Sequence, residues 1–287
     1  MSTKKNNHTL LKVTMAAAGI GAAVAYGKAR AAEKKKGHTA IPADENRTTG
    51  ENDIYFVGGG LGSLAGAAYL IRDAGWEGKR IHILEGMPIL GGSNDGSGTP
   101  AEGFVCRGGR MLNEETYANF WELFSDMPSQ DWEGHSVTEE ILKFDHLHPT
   151  QAQARLIDQE GNILDVHSMG FNNADRMALG KLLATPEEKL DDMTIAEWFK
   201  DTPHFFETNF WYMWQTTFAF QTWSSLFEFK RYMNRMIFEF SRIETLEGVT
   251  RTPYNQYASV ILPIQKWLES HGVAFSISAQ VPDIDFK

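Results

Sequence analysis

The stretch IYFVGGGLGSLAGAAYLIRDAG, beginning at Ile54, constrains the fold more than any other part of the chain. Four apolar residues run into three consecutive glycines, and helical apolar spacing follows through Leu64, Ala68, Leu70 and Ile71. That order predicts a strand, a tight turn and a helix. In the phosphate-binding register the positions are Gly58, Gly60 and Ser63. Gly58 permits the turn, Gly60 lets backbone approach a diphosphate, and small Ser63 suits the helix–strand contact. Gly62 and Gly66 add further close-approach positions. The helix N-terminus then presents unpaired N–H groups to an anion. A second strand, Arg80 to Leu84, ends in Glu85, twenty-five residues after Gly60. A carboxylate there accepts hydrogen bonds from a ribose hydroxyl and disfavours a 2′-phosphate, which leaves NAD and FAD as candidates.

Beyond Glu85, Gly91, Gly92, Gly96 and Gly98 fall within eight positions, too dense for a helix. Phe104, Val105 and Cys106 are strand-like, and Arg107-Gly108-Gly109-Arg110 follows. Two guanidinium forks around a Gly-Gly turn suit the phosphates of the same cofactor; a hairpin tip with solvated arginines is the alternative. Glu114 and Glu115 precede a helix expected from about Thr116, where acidic residues favour the helix dipole.

Charge is split along the chain. Residues 1–36 hold eight Lys/Arg and one Glu, while residues 37–287 hold nineteen basic and thirty-six acidic side chains. A body near −17 repels polyphosphate polymers, so nucleic acid is not an expected partner. Cys106 is the single cysteine, which rules out an intrachain disulfide and a cysteine-rich zinc site. His146 and His148 form an H-x-H pair without other zinc spacing, so they are read as surface residues and no metal is expected. The uncharged run Val13 to Tyr26 is shorter, as a helix, than the about 30 Å hydrocarbon layer of a bilayer. A leader, a membrane anchor and a loose tail all remain open for it, outside the folded core.

Four blocks carry a family resemblance: VGGGLGSLAGAAYLIRD, IHILEGMPILGGSNDG, GFVCRGGRMLNEETYANFWELF and NFWYMWQTTFAFQTWSSLFEFKRYMNRMI. Together they resemble the oleate hydratase family, also called the myosin-cross-reactive antigen family, from about residue 50 onward. The resemblance implies an FAD-binding enzyme that adds water across the cis-9 double bond of oleate, giving 10-hydroxyoctadecanoate, without net redox. The substrate is an unsaturated fatty acid, oleate or linoleate; peripheral membrane contact and a homodimer are the other expected associations, in the cytoplasm or at a membrane. The family's proton-donating tyrosine matches Tyr232. Its water-activating carboxylate matches Met111, a thioether that takes no proton from water, so Glu114 and Glu115 become the candidates, with Asn113 as an orienting group. A flavin-dependent oxidoreductase and a noncatalytic lipid- or flavin-binding protein are the alternatives.

The chemistry supports this on its own terms. An isolated alkene needs a positioned proton donor, an oriented water and a dry channel. Lys230, Arg231 and Arg235 lie near Tyr232 in sequence and are expected to favour its phenolate. Fourteen of the thirty-six residues from Phe205 to Phe240 are aromatic, as a core or an acyl-chain tunnel requires. Trp211, Phe218, Phe229, Met233 and Met236 are the candidate lining. Each methylene taken from water contributes roughly 0.8 kcal/mol, enough for a tight grip on a long chain.

The middle segment predicts a short helix from Ser136, a hairpin around Glu160-Gly161-Asn162 and a helix capped by Thr185 with Pro186 at its first position. The end predicts a helix burying Val260, Ile261, Ile264 and Leu268, then a strand returning to the cofactor domain, with Asn255 to Ser259 beside the flavin. The expected fold class is α/β: a Rossmann-like FAD-binding domain with an inserted, mainly helical, aromatic-rich substrate region. Its expected parts are residues 1–50 outside the core, 51–130 for FAD, 131–250 for substrate and 251–287 as the return. Family members extend well beyond this length, so the chain looks truncated.

Overall fold

The computed structural model describes residues 52–94, 96, 98–105, 111–236, 239–240 and 242–285. The basic N-terminal segment, Cys106 and the Arg107–Arg110 turn lie outside the described residues. The chain forms two compact units, one of them Thr150–Gly248, the other made of the described residues up to Pro149 together with Val249 onward.

The two-part unit opens with β1 (Ile54–Val57), α1 (Leu61–Arg72), β2 (Ile81–Glu85), the short β3 (Gly98–Thr99) and β4 (Gly103–Phe104), α2 (Ala118–Phe124) and α3 (Val137–Leu147). The other unit contains α4 (Asn173–Ala184), the one-turn α5 (Ile195–Trp198), α6 (Asn209–Phe218) and α7 (Leu226–Arg235). The chain then completes the first with α8 (Leu262–Ser270) and β5 (Ala274–Ile277). The architecture is mixed α/β around a parallel sheet in the order β1–β2–β5, with Ile54 opposite Ile81 and His82 opposite Ala274.

Alternation in β2 puts Ile81, Ile83 and Glu85 on its buried side. The isoleucines share one core with Leu64, Ala67 and Ala68 of α1 and with Ile264 and Leu268 of α8. Gly66 lets α1 lie flat on β1, since a methyl group there would come within 3.1 Å of Phe56 Cε1. Arg72 ends α1 by reaching Asp73, Glu122 and Asp126 at 2.6, 2.7 and 2.8 Å, which ties α1 to α2. The hydrogen bond to Asp73, followed by those to Glu122 and Asp126, raises the guanidinium pKa against its partial burial.

α3 begins with a capping box in which Ser136 and Glu139 exchange backbone N–H bonds. Val137 and Ile141 put this helix into the core of the two-part unit. Residues 131–149, grouped by sequence with the substrate region, therefore pack with β1, α1 and β2.

In the unit Thr150–Gly248, Phe199, Phe205, Phe210, Trp214 and Phe229 are all fully buried. Phe199 stacks on Phe205 with ring centroids 3.8 Å apart, and Phe229 meets Phe205 edge-on at 6.3 Å. Asn172, Thr194, Thr208 and Ser225 cap α4, α5, α6 and α7 through their side chains. Thr185, expected to open a helix, instead closes α4, donating from its N–H and hydroxyl to Lys181 O. Pro186 disfavours helical geometry at the preceding residue, so α4 ends there and only a short 3-10 turn, Glu187–Lys189, follows. The expected hairpin forms around Gly161, with Ile157 paired antiparallel to Ile163.

α6 stops because Ala219 adopts the left-handed conformation, at φ +59°. A residue with a Cβ pays roughly 1–2 kcal/mol for that geometry. Ala219→Gly is therefore expected to stabilise the protein by up to about 1 kcal/mol, less the extra chain entropy glycine brings to the unfolded state, read as a rise in urea midpoint.

Candidate functional site

β1 runs out at Val57, and Gly58 turns the chain with φ +98° while donating its N–H to Leu84 O at 2.7 Å. The next residue has no room for a side chain. A Cβ on Gly59 would lie 2.4 Å from Leu90 Cδ2 and 3.2 Å from Glu85 Cβ. Gly59 N–H donates to Glu85 Oε2 at 2.7 Å, and Met87 N–H donates to Glu85 Oε1 at 2.7 Å. The Glu85 side chain, at the last position of β2, is thus buried and held by backbone on both sides. Gly91 N–H donates to Gly59 O at 2.9 Å, and Gly91 pairs with Gly60 in a parallel bridge. A methyl on Gly92 would make ordinary van der Waals contact with Gly60 Cα at 3.5 Å.

Gly60 is the N-cap of α1, extended at φ −73° and ψ 169°, with no side-chain cap over the helix end. A Cβ built on Gly60 or on exposed Gly62 would meet nothing within 4 Å. Half-buried Ser63 donates its N–H back to Gly60 O at 3.0 Å. Gly96 packs against the start of the π-turn Tyr257–Ile261, its Cβ position 2.7 Å from Tyr257 Cβ and 3.2 Å from the Oδ1 of preceding Asn255. An uncapped helix N-terminus, open space over Gly60 and a carboxylate with acceptor sites to spare fit a diphosphate joined to a ribose.

In the same unit, Leu112 pairs antiparallel with Thr250, and half-buried Met111 precedes it. Asn113 is 1% exposed, and its Oδ1 accepts from Glu115 N–H at 3.0 Å and Thr116 N–H at 3.2 Å. Its carbonyl accepts from Trp121 Nε1–H at 3.2 Å. Asn113 therefore shapes the entry to α2, which begins at Ala118, two residues past the expected Thr116. The Glu114 carboxylate is exposed, 3.7 Å from His146 Nε2, whereas Glu115 is half-buried. Among the described residues no cluster of three or more metal-ligating side chains occurs.

Tyr232 belongs to the other unit. It sits on the exposed side of α7, 40% accessible, with Phe218 and Phe220 edge-on to its ring. Trp211, Phe229, Met233 and Met236 are buried in the aromatic core, and Phe218 is half-buried beside Trp214. Two of the three cations expected to serve the Tyr232 phenolate are engaged elsewhere: Lys230 Nζ donates to Thr185 O, and Arg231 pairs with Glu187 at 3.0 Å. Lys230 and Arg231, two and one positions from Tyr232, do not face it on the helix, whereas Arg235, three positions on, lies on the same side. A cavity of ≈ 130 Å³ in this unit is lined by other residues, including Arg155, Leu164, His167 and Glu244.

Comparison with known proteins places these residues in context. The profile of the MCRA family matches residues 51–287. A linoleate hydratase from Lactiplantibacillus plantarum is 45% identical over 249 residues, covering 80% of this chain and 43% of that protein. An oleate hydratase from Streptococcus pyogenes serotype M49 is 38% identical over 237 residues, covering 83% of this chain and 40% of that protein. The chain thus spans less than half the length of these relatives. The solved structure of an oxidoreductase from Methanosarcina mazei superposes with a TM-score of 0.48 at 14% identity, over 79% of this chain and 51% of that one, too distant a likeness to carry an argument.

The two glycines separate fold from cradle. Gly59→Ala is expected to cost about 1–3 kcal/mol of stability by overpacking against Leu90 and Glu85. Gly60→Ala, with no neighbour to strike, is expected to cost no more than about 1 kcal/mol, as an N-cap change. Urea titration of both variants checks the difference.

Proposed function

The chain belongs to the MCRA family, and from that premise we propose that it is an FAD-dependent fatty-acid hydratase, adding water across the cis-9 double bond of oleate or linoleate. The observation that carries the reading is the 45% identity to a linoleate hydratase over 80% of the chain. The glycine cradle supports the cofactor. In this reading Gly58, Gly60, Gly62 and Ser63 admit the diphosphate to the α1 N-terminus, Gly91 and Gly92 close over it, and Arg107 to Arg110 add positive charge. Glu85, with two acceptor sites committed to Gly59 and Met87, offers the remaining ones to ribose hydroxyls. FAD, when bound, would supply electrostatic stabilisation of the developing charge, with no net electron transfer in the reaction.

The slow step is protonation of an alkene, which is a weak base. Tyr232 donates its phenolic proton to C9, and positive charge develops at C10. Water attacks C10 and gives up a proton to Glu114 or Glu115, since the Met111 thioether cannot take it. Return of that proton to the phenolate closes the cycle: one water is consumed and one hydroxyl and one hydrogen are added. Trp211, Phe229, Met233 and Met236 are buried in the aromatic core, so in this reading they back the apolar surface that the acyl chain needs and do not line it directly. Peripheral contact with a bilayer and pairing of two copies fit a substrate drawn from lipid and remain part of the proposal. No helix of the described residues is long and apolar enough to cross a membrane.

Incubation with FAD, a reductant and oleate in ¹⁸O-enriched water tests the reading. The expected product is 10-hydroxyoctadecanoate carrying the label at C10, detected by mass spectrometry. In a parallel incubation with oxidised FAD and no reductant, flavin bleaching with a ketone or a further double bond in the product indicates an oxidoreductase instead, and oleate bound but unconverted in both indicates a binding protein. Tyr232→Phe is expected to lower kcat by roughly 10²–10⁴-fold with FAD still bound. Gly60→Ala is expected to weaken FAD binding by roughly tenfold or more, measured by flavin fluorescence quenching.

A further inference from the structure

The left-handed residue at the end of α6 has a neighbour on each side that reaches the same phenol. Phe218 meets the Tyr232 ring at 5.4 Å between centroids and 69° between planes. Phe220 meets it at 5.2 Å and 89°. Both are edge-to-face contacts, the arrangement that the charge distribution of aromatic rings favours. On a continued helix, residues two positions apart point about 200° away from each other; the left-handed turn at Ala219, φ +59° and ψ 23°, ends the helix between the two rings and brings both to one target.

This pair of rings is anchored more deeply than the ring it holds. Phe220 is 6% exposed and lies edge-on to fully buried Phe229 at 5.5 Å, and Phe218 packs 4.6 Å from fully buried Trp214. Tyr232 itself is 40% exposed. Among the described residues no hydrogen bond holds its phenolic oxygen, and Lys230 and Arg231 are bound to Thr185 and Glu187. An exposed side chain without such restraint exchanges rotamers in picoseconds to nanoseconds. A proton donor works only within a narrow range of distance and direction.

We propose that Phe218 and Phe220, set apart by Ala219, are positioning residues for Tyr232: they fix its ring plane, and so the line of its O–H, while leaving the oxygen free to donate. Restraint by ring edges has a chemical advantage over restraint by a hydrogen bond. It orients the phenol without engaging the proton that has to leave. Phe218, counted from sequence as part of the acyl-chain lining, then serves the acid. The kinetic consequence rests on the hydratase reading; the geometry stands without it.

Two measurements on the whole chain test this, one of them independent of activity. With 3-fluorotyrosine incorporated, the Tyr232 ¹⁹F resonance is identified by its loss in Tyr232→Phe. In Phe218→Leu and Phe220→Leu it is expected to shift toward the position of the free amino acid and to narrow, with the other tyrosine resonances in place. Hydration kcat is expected to fall roughly tenfold or more while KM for oleate changes less than about twofold. Phe218→Tyr, which keeps a ring edge, is expected to restore both. If Phe220→Leu disturbs the other resonances, half-buried Phe218 decides the matter alone. A Tyr232 resonance unmoved by loss of either ring overturns the proposal, and so does a shifted resonance with unchanged kcat. A wild-type protein that makes no hydroxy acid sinks the hydratase reading, and the resonance then decides whether the rings hold Tyr232.

Discussion

A single buried carboxylate organises the glycine-rich end of the parallel sheet. Glu85 takes one backbone N–H from the turn after β1 and another from the chain leaving β2, each at 2.7 Å. An ionised group with so little solvent is expensive unless its charge meets donors of this kind. Because both donors are main chain, the carboxylate is located by the covalent path of the strands and not by flexible side chains. The consequence spreads outward. Gly59 is held so close that no side chain fits, its carbonyl receives Gly91, and Gly60 is left facing open space at the head of α1.

The other unit rests on a different physical basis. Its interior is built from rings in stacked and edge-on contact, with polar side chains mainly at helix starts, where Asn172, Thr194, Thr208 and Ser225 satisfy backbone N–H groups. Tyr232 lies on the outside of that interior and Phe229, three residues earlier on the same helix, lies within it. One short helix thus carries both the anchor and the candidate acid, about 60° apart around its axis, on the edge between its buried and exposed sides.

The β1–α1–β2 path was legible because three local signals agree there: apolar runs of strand length, a glycine turn, and apolar spacing of helical period. The terminal position of Glu85 could be read from the same pattern. Its two backbone partners could not, since Met87 N–H becomes a donor only through the bend after β2. α3 shows a second boundary. Ser136 and Glu139 announce a helix, but nothing in their spacing says which core Val137 and Ile141 enter. Asn113 reads as a group free to meet a ligand, until folding commits its oxygen to the turn before α2. Arg231 reads as a neighbour of Tyr232, until helical rotation sends it to Glu187. Local pattern identifies elements; long-range contact decides what their polar atoms are for.

The π-turn Tyr257–Ile261 runs directly into α8, so the last crossover helix begins with a widened coil. A coil with an additional residue per turn advances the side chains by a different angle than the regular helix after it. Tyr257 is thereby turned toward the glycine loop at Gly96, while Ile264 and Leu268 remain in register with the sheet core. The segment acts as a phase adjuster between two surfaces that a uniform helix would serve less well. Removing one residue from it would rotate everything before it by about 100° relative to the sheet, so tolerance of length change should be lower here than at any loop tip.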